Sequence, residues 1–211
     1  MIIHPHENVP IARLLTFLMH GERMATECAR RQALLTPDLG IRRFLNNQAR
    51  QEAMHAYVFK GAIAWMAPRH VGASPVLLAL EQFRSLLWEA LDRGDLIESI
   101  LAEQVILEGL GEAILTRIEQ GLEKRGAPFW RVRRMLLLQE EAHHGFGLRL
   151  LERALATNEL DLESVRERAQ EYLGLCEAMV LTLHDVFDTI DEDAAAWAAD
   201  VRTFLPAWLV P

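Results

Sequence analysis

Three Glu-x-x-His patterns stand in the 211-residue sequence: Glu52 with His55, Glu140 with His143, and Glu141 with His144. On a helix, side chains three residues apart project from one face and can reach the same ion. A carboxylate oxygen and a neutral imidazole nitrogen suit iron, manganese or zinc. Chance alone supplies on the order of one such pattern in a chain this rich in acidic residues and histidines. Register adds the missing support. Glu22 precedes Glu52 by 30 residues, and Glu108 precedes Glu141 by 33. With a rise of about 1.5 Å per residue and short turns, both spacings return antiparallel helices to one level.

Helices must carry these residues, and the prolines show where the helices stop. Prolines stand at positions 5, 10, 37, 68, 75, 128, 206 and 211, and the intervals are rich in Ala, Leu, Glu and Arg. Those residues are good helix formers, whereas proline is excluded from helix interiors. The pattern predicts helices over about 10–35, 38–67, 75–92, 95–124, 128–156, 161–189 and 192–205. Thr36-Pro37-Asp38 reads as a stop and restart, Ser74 before Pro75 as an N-cap, and Gly126 with Pro128 as an end and a fresh start. No stretch alternates as a half-buried strand does. The expected class is all-α, in one domain spanning 1–211. Its four-helix core lies within about 10–156, one helix is inserted before the third ligand helix, and further helices at 161–205 bring Trp197, Phe204 and Trp208 onto the bundle or a partner subunit.

On these helices the candidates fall on apolar stripes. Leu14, Leu18, Glu22, Ala25 and Ala29 share one face, and Leu45, Gln48, Glu52, His55 and Phe59 share another. Leu101, Gln104, Val105, Glu108, Glu112 and Leu115 form the third stripe, and Arg134, Leu138, Glu141, His144, Leu148 and Leu151 the fourth. Buried carboxylates are costly unless something neutralises them. Four carboxylates and two neutral imidazoles around two divalent ions sum to zero charge. The expected ligands are therefore Glu22, Glu52, His55, Glu108, Glu141 and His144, with Glu52 or Glu108 (or both) bridging the ions. Glu140 with His143 is the competing register, on a less continuously apolar face. Otherwise Glu27, Glu103 and Glu140 read as ordinary helical charges. Glu112, one turn beyond Glu108, reads as an extra ligand, a partner of a ligand or a proton relay. Gly109, Gly111, Gly145 and Gly147 either allow close helix packing or open room for a substrate and dioxygen.

Composition narrows the function classes. Hydrophobic residues make up 51% of the chain, yet no apolar run approaches the roughly 20 residues of a membrane span. The opening MIIHPHENVP lacks the basic start and apolar stretch of a secretory signal, so the expected location is cytoplasmic. Cys28 and Cys176 sit inside helical patterns, which leaves no disulfide framework and no in-chain iron–sulfur or rubredoxin-type centre. Electrons must come from an external donor, a ferredoxin-like protein or a reductase. A net charge of −8 excludes the basic face that nucleic acid requires. The partners expected are a small-molecule substrate, dioxygen and a second copy of the chain in a homodimer.

The pattern resembles the ferritin-like di-iron carboxylate superfamily across about residues 10–156. The resemblance rests on His20-Gly21-Glu22, Gln51-Glu52-Ala53-Met54-His55, Ile106-Leu107-Glu108-Gly109 and Glu140-Glu141-Ala142-His143-His144. Two single glutamates plus two Glu-x-x-His helices are the ligand set of such bundles. The spacing is most similar to the small aldehyde-deformylating oxygenases, with Gly21-Glu22 followed by Leu34-Leu35-Thr36-Pro37-Asp38 (one residue inserted before the proline) and an extra helix before the third ligand helix. The resemblance implies a ferritin-like fold, two iron ions (Fe/Fe or Mn/Fe) and an oxygenase acting on an apolar or amphipathic small molecule. In that family an acidic residue usually precedes the last ligand glutamate, which points to Glu141 and His144. An iron-storage or ferroxidase protein without organic substrate is the alternative that the same ligands allow.

Overall fold

A computed structural model describes residues 4–73, 78–126, 129–157 and 160–209. Helix α1 (Asn8–Leu35) and helix α2 (Leu39–Met66) form a long hairpin. Its turn carries the expected signals. Thr36 is extended, and the Asp38 carboxylate accepts hydrogen bonds from the backbone N–H groups of Gly40 (2.7 Å) and Ile41 (3.0 Å). Such an N-cap contributes about 1 kcal/mol. After a single turn at Pro68–His70 comes α3 (Leu78–Asp92). Gly94, at φ 73°, lets the chain reverse, and Asp95 caps the next helix through the Glu98 N–H.

Helix α4 is built from three contiguous pieces: Leu96–Ile100, a π-helical stretch Leu101–Leu107, and Glu108–Lys124. Helix α5 (Trp130–Ala156) returns alongside it, followed by α6 (Leu162–Thr182), α7 (His184–Thr189) and α8 (Ala194–Thr203). The helix expected over 161–189 is thus divided. At Leu183 the backbone tightens to i→i+3 bonding, with Leu183 N–H donating to Val180 O and Val186 N–H to Leu183 O. Ser74, Pro75 and Pro128, read as boundary signals, lie outside the described residues. Among the described residues there is no strand, and no helix is long and apolar enough to cross a membrane.

The α1–α2 hairpin faces the α4–α5 hairpin, and the polar residues of interest lie between them. Helix α3 bridges α6 and the start of α4, while α6 and α8 cover the remainder of α4. Aromatic contacts hold this outer layer. Tyr172 is fully buried edge-on to Phe83 at 5.1 Å, and its hydroxyl donates to Glu98. Trp197 is buried beside Phe187 at 4.7 Å, with the Arg117 guanidinium over its ring. Trp197 and Trp208 thus dock on the bundle. The stripes expected on α1 and α2 face inward as read.

Helices α4 and α5 approach closely at Gly147. A methyl group at Gly147 would stand 2.6 Å from Gln104 Cβ and 3.0 Å from the Gln104 carbonyl carbon. Gly147 is therefore a packing glycine. Gly147→Ala should force α4 and α5 apart and destabilise the fold by about 1–3 kcal/mol. Gly174→Ala, where the new methyl meets nothing within 4 Å, should stabilise by about 1 kcal/mol, as measured by urea unfolding.

Candidate metal centre

Each of the four long helices contributes to a cluster in the bundle interior. Helix α1 supplies Glu22, α2 supplies Glu52 and His55, α4 supplies Glu108, and α5 supplies Glu140 and His143. The last pair corrects the expected register. Glu141 is exposed, and His144, though buried, turns its Nδ1 to the Glu112 carboxylate at 2.8 Å. The reason is visible on α5. Leu138 and Arg134, counted as part of an inward stripe, lie on the outside, whereas Leu136, Glu140, His143, Gly147 and Leu151 face the core. A run of apolar residues, Met135-Leu136-Leu137-Leu138, satisfied every helical phase at once. Another signal was present: Gln51-Glu52-x-x-His55 and Gln139-Glu140-x-x-His143 are the same five-residue pattern.

The repeated glutamines show why that pattern matters. His55 Nε2 is 2.7 Å from the Gln139 side-chain oxygen, and His143 Nε2 is 2.8 Å from that of Gln51. Each helix thus orients the histidine of the other. An imidazole that donates from Nε2 presents a bare Nδ1, the form a metal needs. His55 Nδ1 faces Glu140 at 2.9 Å, Glu52 at 3.0 Å and Glu22 at 3.3 Å. His143 Nδ1 faces Glu52 at 2.7 Å and Glu108 at 3.8 Å.

These atoms fall into two overlapping groups, Glu22–Glu52–His55–Glu140 and Glu52–Glu108–Glu140–His143, each with its ligand atoms within 4.8 Å of one another. Glu52 and Glu140 belong to both; of the two bridging candidates read from the sequence, Glu52 is shared by the groups and Glu108 falls in one only. Both Glu52 oxygens, Glu140 Oε1 and the Nδ1 atoms of His55 and His143 are buried without an aligned hydrogen-bond partner. Orphaned polar atoms are rare in folded interiors. Here they converge, and the donor set fits two cations.

Electrostatics describe the same crowding. Burial pushes the Glu22 carboxyl well above its ordinary range, aided by Glu140 and only partly opposed by His55. Glu108 is likewise raised by burial and by the Glu52 and Glu140 charges. Burial also acts upward on Glu52, but its contacts with His143 and His55 outweigh it and hold that carboxyl low. His55 is held protonated far above its usual range, its burial being overcome by Glu140, Glu22 and Glu52.

Beside the cluster, a buried glutamine ladder holds Glu108. Gln48 donates to Glu108 Oε1 at 2.6 Å, Gln104 donates to Gln48 and Gln32, and Gln32 donates to Gln104 and Ser99. On the other side is a cavity of about 40 Å³, walled by Phe17, Leu18, Leu80 and Leu107 and bordered by Glu22, Glu103, Glu108 and Glu140. That is room for dioxygen or about two or three waters. Gly111 lines it, 3.6 Å from Glu140 measured from where a methyl would sit, so this glycine helps keep the space open. Glu103, expected on another face, is fully buried at its edge, whereas Glu27 is exposed as expected.

No protein-family model matches the chain, and no curated relative does. A solved structure does: "Protein 19 with aldehyde deformylating oxidase activity from Synechococcus" superposes with a TM-score of 0.78 at 17% identity, over 99% of this chain and 92% of that one. The fold is ferritin-like. The all-α class read from the helix pattern, and the ferritin-like frame that the resemblance implied, are thus present along nearly the whole chain.

Two outcomes follow from the site geometry. Glu140→Gln and His143→Ala should lower the metal content of purified protein, while Glu141→Gln should leave it at the wild-type level. Equal loading in all three would dismiss this cluster as a metal site. In metal-free protein, the raised carboxyls of Glu22 and Glu108 make folding favour their protonated forms. Their contribution is full below the ordinary carboxylate value of 4.5 and is lost as pH rises, and that of His55 is lost in the same direction. Glu52, held low, acts oppositely only below that range. The metal-free protein should therefore be more stable in urea at pH 5 than at pH 8, by at least about 1–2 kcal/mol. Metal loading should shrink the difference.

Proposed function

We propose that this chain is a single-domain, non-haem di-iron oxidoreductase that activates dioxygen to oxidise an apolar or amphipathic small molecule. The observation that carries this reading is the pair of ligand groups sharing Glu52 and Glu140 next to a cavity with apolar walls. Two ferrous ions bound there would supply the two electrons that begin reduction of dioxygen; an iron–manganese pair uses the same ligand types. In this reading Glu22 and His55 would hold one ion and Glu108 and His143 the other, with Glu52 and Glu140, which belong to both groups, available to either. Glu141 and His144 are not assigned as ligands.

The remaining residues have roles that follow from where they stand. Gln51 and Gln139 keep the imidazoles in the ligating tautomer, and Gln48 orients Glu108. Leu18, Phe17 and Leu80 exclude bulk water from the reacting volume. Glu112, half-buried and hydrogen-bonded to His144, would exchange a proton with that imidazole and not ligate an ion, since neither residue belongs to the two ligand groups. The cavity is small, so an organic substrate enters by displacing its leucine walls, and an amphipathic molecule would leave its polar end at the surface. Cys28 and Cys176 are both buried and unpaired with each other, and electrons are supplied by an external carrier. The oxidase activity of the structural neighbour supports this class of chemistry, while the aldehyde remains that protein's substrate.

Metal analysis followed by ferrous reconstitution without air, then exposure to oxygen in an optical scan, tests the proposal. Two metals per chain and a transient coloured species in a monomer or dimer support it. A large hollow assembly that accumulates iron would instead establish storage, and a chain without metal whose melting ignores chelators would overturn the reading altogether.

A further inference from the structure

Six residues account for the two ligand groups, yet a further acid is buried beside them. Glu103 is fully buried, and both of its carboxylate oxygens are without a hydrogen-bond partner. It borders the same cavity as Glu22, Glu108 and Glu140. The groups whose charges act on it are Glu52 and Glu140, both of its own sign. A carboxylate in such a place costs several kcal/mol in the absence of a cation or proton, where a leucine would cost nothing.

Backbone geometry explains how it comes to be there. In a regular α-helix, residues five apart point roughly 140° away from each other. Between Leu101 and Leu107 the helix is π-wound, and the Glu108 N–H donates to the Glu103 carbonyl, five residues back. That winding stacks Glu103 over Glu108 on one face. An α-helical reading of the same sequence turns Glu103 away, which is why the periodicity placed it among ordinary charges. Wide turns of this kind are rare and are frequently found at functional sites. Here the only polar side chain that the winding brings to the cavity edge is one with the chemistry of a metal ligand.

We infer that Glu103 is a seventh metal-site side chain, a carboxylate that the π-wound turn presents to the metal pair from the cavity side. It stands outside the two four-residue groups, so its engagement requires a rotation of the side chain across the cavity. This inference rests on the two-metal reading of the site.

Anaerobic titration of the metal-free protein with cobalt(II) tests it, using visible absorption for ligation and melting for stability. Glu103→Gln should bind the weaker of the two ions at least about tenfold less tightly and shift the visible bands. Its metal-free form should melt no lower than wild type, because neither Glu103 oxygen has a hydrogen bond to lose. Glu103→Leu provides the same comparison without a polar group, and Glu141→Gln should behave as wild type. Wild-type affinity and spectrum for both ions in Glu103→Gln and Glu103→Leu would overturn the role of Glu103 while leaving the two-metal site intact. Failure of the wild-type chain itself to bind cobalt or iron would overturn both.

Discussion

Carboxylates do not belong in the dry centre of a helical bundle, and much of this protein is arranged around having placed several there. Glu52, Glu108 and Glu140 are buried with Glu22 beside them, and the two imidazoles that face them are locked from behind by glutamines on the opposite helix. Without cations the site is a set of repelling groups, some pushed to hold protons and one held charged. With two divalent cations the charges cancel. Folding and metal uptake are therefore linked: the ions compensate a desolvation cost that side-chain packing cannot.

The constraint reaches outward through α4. A π-wound stretch is rare and interrupts a regular helix, and α4 is supported on its outer side. That support comes from α3, α6 and α8, which the minimal four-helix bundle lacks. Tyr172 fixes α6 to both α3 and α4 through Phe83 and Glu98. Arg117 ties α4 to α8 through Asp200 and the Trp197 ring. Inside, the Gln32–Gln48–Gln104 ladder joins three helices with every amide partnered to another polar group, and it ends on Glu108. A buried polar network of this kind is worth having only when it is satisfied, and then it fixes geometry.

A ferritin-like frame hosts many activities, and likeness of fold at 17% identity leaves the substrate open. What distinguishes this site is local: paired Gln-Glu-x-x-His motifs that orient each other, a cavity with apolar walls on the α1–α3 side, and a buried fifth carboxylate at its edge. The separate pair Glu112–His144 lies on the far side of α4 and α5, next to Leu205 of the C-terminal segment.

Read alone, the sequence determined the helices, most of their ends, and the inward placing of Glu22, Glu52, His55 and Glu108. Proline punctuation and aspartate caps act locally, and the buried residues of α2 between Leu45 and Phe59 keep to one stripe. Two features were decided by tertiary structure. On α5, leucines at every helical phase left Glu140–His143 and Glu141–His144 both plausible; only packing against α2 and α4 chose the first, burying Leu136 and Gly147 and leaving Leu138 outside. On α4, the π-wound turn inserts a phase shift between Glu103 and Glu108. Periodicity assumes a constant angle per residue, so a change in winding stabilised by neighbouring helices cannot be read from spacing.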